Sequence, residues 1–527
     1  MNNLDFLIVT LYFIILVIIG VTAALRRKKG TAEDFFITSK TLPWFVIGFS
    51  IIAAGISSEH FLGAVGYSYK YGLAVANWEW LNGPALIILI VIFIPFYTRR
   101  KIVTMPQFLE LRFDGRIRTL FAIITILIYI FINLAGVIYS GGLAVKAIFG
   151  LDNIYTGIIA LSLIGGLFVV IGGMESVAWT NLFQSILLLA GGLLVFFIGV
   201  YTVPGGLDGI INANENSHLI LPADHPEIPW PALIVLMLST NVWFFCTNQS
   251  INQAALGAKN EWHAKIGIIL VGALGMIIPL ADVFPGLIAR ALDLNIINSE
   301  GSTDEAYIRV VEYLVPAGLR GLVFAGLCGA IISTIEALTN ACSTIFTFDV
   351  YKRIGNKQRS DKNLIKAGRI ATMIVLLVGA FWAPMVGKFE HIFQYFQQCW
   401  AFIAIPSMLI FVFGILWKKF SNDAAFYTLC LSFLMFLMPY FIQIFDIQTN
   451  AFIVAGYSLI IIFIFTLVVS YLTPKSVNKN AADHTWKRDM MKLPASVHAG
   501  KKHWYQSVTL WAVVMIGMYL ILYIFWW

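Results

Sequence analysis

The feature that most constrains this chain is the repeated occurrence of apolar runs from one end to the other. Each run has about the 20 residues that an α-helix needs to cross the hydrocarbon core of a bilayer. The composition agrees, since 59% of the 527 residues are hydrophobic and only 12% are charged. We therefore predict an all-α polytopic membrane protein. Its spans, about fourteen in number, are expected near residues 4–24, 43–67, 75–98, 117–148, 152–172, 178–203, 229–255, 262–292, 319–350, 365–386, 389–417, 423–444, 448–471 and 505–526.

Lysine and arginine are concentrated in alternate loops, for example at 99–101, 352–353 and 418–419. The loops between them are nearly free of basic residues, and loop 204–227 has none. Because basic loops face the cytoplasm, we predict a multi-pass protein of the cell inner (plasma) membrane with both termini extracytoplasmic. The net charge of +7 then follows from topology, and it gives no support to nucleic-acid binding.

Spans two to six and seven to eleven form two sets of five. Because five is odd, the second set enters the membrane from the opposite side, as in an inverted repeat. The first helix of each set is commonly broken in such proteins, and the binding site lies between the sets. We divide the chain into an extra N-terminal helix with its loop at 1–42, repeats at 43–203 and 229–417, an extracytoplasmic loop at 204–228, and three C-terminal helices with a cytoplasmic linker at 418–527.

The second span contains polar residues that have no use in a continuous lipid-facing helix. The run IIAAGISSEHF includes Gly55, Ser57, Glu59 and His60. Each ionisable group at the bilayer centre costs about 2.5–3.5 kcal/mol on the insertion scale. We therefore predict a helix interrupted within the membrane, whose freed carbonyls and polar side chains bind an ion and a polar solute.

Two further groups of polar residues lie within the spans. The hydroxyls of Ser333 and Thr334 suit a sodium ion, although such a pair ordinarily bonds back to the preceding helical turn. A set of donors and acceptors suits the hydroxyls of a polyhydroxylated solute, although it could also serve contacts between helices. That set is His60, Glu79, Asn82 and Gln397. Aromatic residues that could stack on a sugar, gate it or simply pack in the core are Trp78, Phe244 and Phe393.

Motifs spread over nearly the whole chain carry a family resemblance: IIAAGISSEHFLGAVG, NWEWLNG, TMPQFLELRF, GGMESVAWTNLFQ, TNVWFFCTNQSINQAALGAK, FAGLCGAIISTIEALTNACSTIFTFDVYKR, FQYFQQ and FGILWKK. They resemble the sodium/solute symporter family, in the branch of bacterial sodium/galactose and mammalian sodium/glucose cotransporters. The resemblance implies a LeuT-like 5+5 inverted-repeat core with broken first helices, and alternating access coupled to inward flow of Na+.

Position by position, the resemblance implies one ion site and one sugar site. The sodium ligands would be the carbonyls or hydroxyls of Ala53, Ile56, Ala330, Ser333 and Thr334. Phe244 would stand at the inner gate, and Phe393 would form an outer aromatic lid over the sugar. The other substrate-binding residues would be His60, Glu79, Asn82, Asn241 and Gln397, and Trp78 is added to them as an aromatic residue that could stack on the sugar.

The chain departs from the family pattern at several positions. Gly275 stands where the hexose carriers have a lysine, which leaves the preferred hexose open, and also whether the substrate is a hexose. Asn181 replaces an aspartate of a second sodium site, and Ala337 replaces a nearby hydroxyl. We therefore expect one sodium per substrate, unless Glu336 supplies a replacement. Asp282 has no assigned role.

The preferred hypothesis is a sodium-coupled symporter for a monosaccharide, with a hexose such as glucose, galactose or mannose expected. Its partners would be the sugar, sodium and the lipid bilayer, with no nucleic acid and no obligate protein partner. The alternative is a sodium- or proton-coupled symporter for another polyol, sialic acid or a vitamin. A sensor or a membrane-embedded enzyme is disfavoured, because the sequence has no long soluble segment, no HExxH pair and no serine nucleophile motif.

Overall fold

The computed structural model describes residues 1–26, 30–214, 217–297, 303, 305–354, 359–388, 392–445, 449–479, 481–498 and 503–526. Among these residues, thirteen helical runs are long and apolar enough to cross a membrane. They are Asn3–Arg26, Glu59–Arg99, Gly115–Phe149, Ile154–Gly172, Met174–Thr202, Trp230–Thr247, Glu261–Ala291, Leu319–Arg353, Asp361–Gly387, Tyr395–Leu416, Asn422–Ile442, Ala451–Leu472 and Val508–Phe525.

The predicted second span is divided between two helical runs. Its first half is the shorter apolar helix Trp44–Gly55. Its second half lies within the run Glu59–Arg99, which also contains the predicted third span. All fourteen predicted spans are thus represented, and the prediction of an all-α polytopic fold is confirmed.

The first broken helix, residues 44–71, is interrupted at Ile56. This residue ends the helix Trp44–Gly55 in an extended conformation, with φ −115° and ψ 113°, and helical structure resumes at Glu59. The hydroxyl of Ser57 accepts a hydrogen bond of 2.6 Å from the main-chain N–H of Ser58. A serine side chain thus takes over a donor at the point where the helix stops.

The second broken helix, residues 230–256, is interrupted at Asn248. Its two parts are Trp230–Thr247 and Gln249–Leu256, and Asn248 between them is extended, with φ −77° and ψ 125°. The side chain of Asn248 caps the second part by accepting a hydrogen bond of 3.1 Å from the N–H of Ser250. Both predicted interruptions are therefore present.

Side chains satisfy carbonyl groups beside this second interruption. The hydroxyl of Tyr97 donates a hydrogen bond of 2.8 Å to the carbonyl of Cys246. The amide of Asn252 donates one of 2.8 Å to the carbonyl of Phe245. Because buried backbone groups need partners inside a membrane, these side chains make the interruption stable without any bound ion.

The two broken helices share an anchor at one end, where an isolated β-bridge pairs Leu42 with Ala258. The N–H of Leu42 donates to the carbonyl of Gly257 at 3.2 Å, and the N–H of Lys259 donates to the carbonyl of Leu42 at 3.1 Å. Leu42 lies just before the first broken helix, and Ala258 lies just after the second.

The helix Leu319–Ile345, which we call the hydroxyl helix because it carries Ser333 and Thr334, packs closely against Met174–Thr202. A Cβ atom on Gly326 would lie 3.1 Å from the carbonyl oxygen of Leu187, and one on Gly191 would lie 3.2 Å from the Cα of Val323. Small residues allow membrane helices to approach this closely. The packing fixes the hydroxyl helix beside the first broken helix, which contacts both.

Candidate functional site

A cavity lies between the two broken helices. Its empty volume is about 660 Å³ when the opening to solvent is included. The side chain of Phe393 lies outside the described residues, so its predicted role as a lid stays a prediction. The other residues predicted for the substrate and the gate all line this cavity: His60, Trp78, Glu79, Asn82, Asn241, Phe244 and Gln397.

Glu79 is the centre of a polar chain on one wall. Its Oε1 lies 3.2 Å from Nε2 of His60, and its Oε2 accepts a hydrogen bond of 3.1 Å from the amide of Asn82. Glu79 lies in the short helix Asn77–Trp80, and Asn82 begins the next helix, Asn82–Ile88, after the turn at Leu81. One carboxylate therefore orients both neighbours toward the same space.

Glu59 lies behind this chain. Its Oε1 is 3.6 Å from Nδ1 of His60, and its side chain is buried. It is absent from the cavity lining formed by the described residues. The distance is too long for a hydrogen bond, and the position of Glu59 behind His60 favours a structural role over contact with the solute.

Polar side chains from other helices complete the lining. The amide nitrogen of Asn241, the hydroxyl of Thr240 and the amide oxygen of Gln397 are buried and have no hydrogen-bond partner among the described residues. Leaving a buried polar group unpaired costs roughly 1–3 kcal/mol. A donor, a hydroxyl and an acceptor that line one cavity in this state are suited to a ligand rich in hydroxyl groups.

Aromatic rings form the apolar part of the cavity. The ring of Phe244 packs against Trp400 and Phe245, with centroid distances of 5.8 Å and 5.1 Å. Trp78 meets Tyr67 edge to face at 6.1 Å. Such rings present flat apolar surfaces to the C–H faces of a cyclic ligand.

Four of the five predicted sodium ligands meet at the first interruption. The hydroxyl of Ser333 lies 2.9 Å from the carbonyl oxygens of both Ala53 and Ala330. The hydroxyl of Thr334 lies 3.2 Å and 3.1 Å from the same two oxygens. The expected bonding to the preceding turn, at Ala330, therefore occurs together with contact to the first broken helix.

The fifth predicted ligand, Ile56, is the extended residue at the interruption. In a continuous helix its carbonyl would accept from the N–H of His60, but that N–H donates to the carbonyl of Ser57 instead, at 3.2 Å. The carbonyl of Ile56 is thus released from the helical pattern. No group of three or more His, Cys, Asp or Glu side chains that could hold a metal ion occurs among the described residues.

These oxygens fit a small monovalent cation. Ser333 and Thr334 make four close oxygen–oxygen contacts, but their two hydroxyls supply only two protons. In the contacts that have no proton between them, lone pairs face one another. A cation replaces the missing positive charge, and neutral oxygens are hard ligands suited to alkali ions. The site would hold the ion against both the first broken helix and the hydroxyl helix.

Two of the residues that depart from the family pattern, Asn181 and Glu336, each make a side-chain hydrogen bond to a neighbouring helix. The amide of Asn181 donates to the hydroxyl of Ser50 at 3.1 Å. The carboxylate of Glu336, fully buried, accepts from the hydroxyl of Thr180 at 2.8 Å. Asp282 is also buried, and it is absent from the cavity lining of the described part.

The lining residues that sequence reasoning missed include Trp400 and Tyr519. Tyr519 lies on the last helix, Val508–Phe525, which was not included in either repeat. The available signal was weak, because tyrosines near the ends of membrane helices commonly belong to the interfacial aromatic belt.

Comparison with known proteins identifies the family. A model described as the sodium:solute symporter family matches residues 35–431. The chain belongs to this family. The family consists of sodium-coupled transporters, so this member is a multi-pass secondary transporter and not an enzyme, as predicted.

Three curated relatives cover most of this symporter. The sodium/glucose cotransporter of Vibrio parahaemolyticus is 33% identical over 479 residues, which cover 84% of this chain and 88% of that protein. Sodium/glucose cotransporter 1 of Oryctolagus cuniculus is 31% identical over 473 residues, covering 82% and 71%. The Homo sapiens sodium/myo-inositol cotransporter is 32% identical over 471 residues, covering 81% and 65%.

Solved structures confirm the fold of the symporter. A Na+-coupled sialic acid symporter in a substrate-bound outward-open state gives a TM-score of 0.79 at 21% identity, covering 89% of this chain and 98% of that one. A nucleobase-cation symporter in a closed conformation gives 0.52 at 15% identity, covering 86% and 98%. The predicted LeuT-like core with two broken helices is thereby confirmed.

Proposed function

We propose that this symporter takes up a neutral monosaccharide together with one sodium ion per sugar by alternating access. A hexose is the first candidate substrate. The observation that carries the proposal is that one interrupted helix serves both sites. Ala53 faces the hydroxyls of Ser333 and Thr334, and His60 on the same helix lines the solute cavity beside Glu79.

The proximity of the two sites accounts for coupling. Sodium bound to Ala53, Ile56 and the hydroxyl helix would fix the interrupted segment. His60, which follows four residues after Ile56, would then be held in position to bind the sugar. By linkage, sugar binding would raise sodium affinity by the same factor.

The character of the cavity supports a neutral cyclic polyol. Hydroxyl-bearing ligands match the mixture of amide, imidazole and carboxylate groups, and the rings of Phe244 and Trp78 match the C–H faces of the ligand. Relatives include cotransporters of glucose and of myo-inositol. A cyclohexane polyol is therefore the second candidate substrate.

A single sodium is proposed because Asn181, a neutral amide, occupies the position where the family resemblance places an aspartate of a second sodium site. Asn181 already donates to Ser50, and Glu336 accepts from Thr180.

Uptake into proteoliposomes tests the proposal. Radiolabelled glucose, galactose, mannose and myo-inositol would be supplied with an imposed inward sodium gradient, with potassium in place of sodium as the control. We expect accumulation of at least one of these solutes only with sodium, and a flux ratio of one sodium to one solute. Uptake that ignores sodium and follows an imposed pH gradient would overturn sodium coupling.

We also propose that the protein resides in the cell membrane with both termini extracytoplasmic. Contacts at the two chain ends support this placement, because each contact joins a terminus to one of the loops that lie between the basic loops. The N–H of Leu219 in loop 204–228 donates to the carbonyl of Trp526 at 3.0 Å, and Asp5 accepts from the N–H of Gly318 at 2.7 Å. On the other side, Arg99 donates to the carbonyl of Lys492 in the linker at 2.5 Å.

Reporter fusions test this orientation. Alkaline phosphatase fused after Trp527 is expected to be active, and green fluorescent protein fused after Lys419 is expected to fluoresce. The opposite pair of results would reverse the orientation.

A further inference from the structure

The last helix, Val508–Phe525, is mostly exposed along its outer face, yet it contributes one side chain to the solute cavity. Met515 and Tyr519 are its buried residues. Tyr519 is only 6% exposed, and it lines the cavity together with Glu79 and Asn82.

Glycines make the space that the Tyr519 side chain fills. A Cβ atom on Gly83 would lie 3.0 Å from the tyrosine ring, and one on Gly275 would lie 3.2 Å from its hydroxyl oxygen. A Cβ on Gly272 would collide with Met515. The last helix therefore packs into a groove lined by glycines, and its tyrosine reaches the cavity through that groove.

The hydrogen bond of Tyr519 fixes what its hydroxyl can offer a ligand. The hydroxyl donates to the carbonyl of Gly272 at 3.0 Å. Its single proton is therefore in use, and its oxygen lone pairs remain as acceptors. Glu79, in the same cavity, is a carboxylate and so also accepts when ionised. This part of the cavity favours ligand groups that donate hydrogen bonds.

We propose that Tyr519 is a substrate-contacting residue that accepts a hydrogen bond from a ligand hydroxyl and thereby selects neutral polyols over carboxylated sugars. The inference rests on the proposed function of the cavity as a sugar or polyol site. A carboxylate placed beside the Tyr519 hydroxyl would meet an oxygen whose only proton is already donated to Gly272, and acceptors that face each other in a buried site oppose binding. The described lining of the cavity contains no lysine or arginine, and its histidine, His60, already faces Glu79 at 3.2 Å.

The chain provides a matched control on the same helix. Tyr523 lies one turn beyond Tyr519, and its hydroxyl donates to the side-chain oxygen of Asn77 at 2.5 Å. Tyr523 is absent from the described lining of the cavity. Both tyrosines connect the last helix to its neighbours, but Tyr519 is the one placed against the solute.

The test compares Tyr519→Phe and Tyr523→Phe in sodium-driven uptake by proteoliposomes. The substrate is whichever of glucose, galactose, mannose or myo-inositol the natural protein accumulates, and N-acetylneuraminate is the carboxylated competitor. For Tyr519→Phe we expect KM to rise about 5- to 10-fold, as for loss of one hydrogen bond, and the disadvantage of N-acetylneuraminate to shrink. For Tyr523→Phe we expect KM and competition unchanged.

A second variant serves as a control for the possibility that Tyr519→Phe misfolds. Gly275→Ala keeps the tyrosine but places a methyl group 3.2 Å from its hydroxyl oxygen, so the hydroxyl must shift. We expect a smaller rise in KM for the same substrate. Sugar-induced stabilisation of each purified variant in sodium, measured by thermal shift, gives a binding readout that does not depend on transport.

The results separate the two proposals. An unchanged KM in Tyr519→Phe, or an equal rise in Tyr523→Phe, would overturn the assignment of Tyr519 while leaving sugar transport intact. If the natural protein accumulates none of the four solutes with sodium, the proposed function itself fails. If it transports N-acetylneuraminate as well as any neutral solute, the selection by Tyr519 is refuted.

Discussion

The hydroxyl of Ser333 donates a hydrogen bond of 2.9 Å to the carbonyl of Ala53, a residue 280 positions earlier in the chain. The same carbonyl is 3.2 Å from the hydroxyl of Thr334. These contacts join the hydroxyl helix to the first broken helix at the point where its backbone leaves the helical pattern. They are the basis of the proposed sodium site.

Replacing Ser333 with alanine is expected to weaken sodium binding. The variant loses a hydroxyl ligand and retains the rest of the helix, so the sodium concentration for half-maximal uptake should rise about tenfold, the equivalent of roughly 1.4 kcal/mol. Ser343→Ala is the control, because its hydroxyl is buried in the same helix but bonds only to the preceding turn, at Asn340. Sodium titration of solute uptake measures both. Equal sodium curves for the two variants would remove Ser333 from the site.

Glu79 and Glu59 flank the same histidine but are expected to differ in their effect on the solute. Glu79→Gln removes a charged acceptor from His60 and Asn82, so KM for the solute should rise roughly 10- to 100-fold, as for loss of a hydrogen bond to a charged group. Glu59→Gln should leave the substrate profile intact. Competition assays with a panel of monosaccharides distinguish them. A changed profile in Glu59→Gln would place that residue in the site.

Arg118 holds together helices on the side of the molecule that carries the basic loops. It donates to buried Asp349 at 2.6 Å and to Glu110 at 2.5 Å. Removing one partner of a buried pair costs about 3–5 kcal/mol, so Arg118→Met should lower thermal stability in detergent strongly. Arg116→Met, on the same helix but with an exposed side chain, should change it little, by less than about 1 kcal/mol. Similar melting temperatures for both variants would contradict the structure.

The same cluster makes stability sensitive to acid. Burial raises the pKa of Glu110, but hydrogen bonds from Arg118 and Arg353 outweigh this and hold it below its ordinary value of 4.5. A carboxylate whose pKa is lower in the folded state stabilises the fold at pH values above its unfolded-state pKa. This contribution disappears as the pH falls through the lowered, folded-state pKa. The Glu110→Gln variant should therefore be less stable than the natural protein at pH 7. The difference in stability between the two should shrink as the pH falls.

Thermal unfolding between pH 7 and pH 3 measures this effect. Glu312→Gln, which changes an exposed glutamate, serves as the control and should follow the natural protein. A Glu110→Gln curve parallel to that of the natural protein would exclude Glu110 as a source of the pH dependence.

The membrane fold and the two interruptions could be predicted because their signals are local. Long apolar runs fix the spans, and the polar run from Gly55 to His60 has no use in lipid. The close spacing of Glu79 and Asn82 likewise predicted the contact between their side chains. Each of these signals lies within a few residues of the structure that it predicts.

The rest depends on contacts between distant segments. The sequence offered no local sign that Thr180 would meet Glu336, since both lie in apolar helices with several other polar residues. Tyr519 was missed for a similar reason: its partner Gly272 lies 247 residues earlier. A tyrosine in a terminal helix has no local feature that separates an interfacial residue from one that reaches a binding cavity.

The β-bridge between Leu42 and Ala258 has a mechanical consequence. Lys40 reinforces it, because its ammonium group donates to the carbonyl of Leu256 at 2.7 Å. The bridge thus joins the start of the first broken helix to the end of the second. A tilt of either helix at this point would therefore also move the other. A sodium ion bound at the proposed site on the first broken helix would therefore also shift the helix that carries Asn241, and this would link a small cation to the binding of a much larger solute.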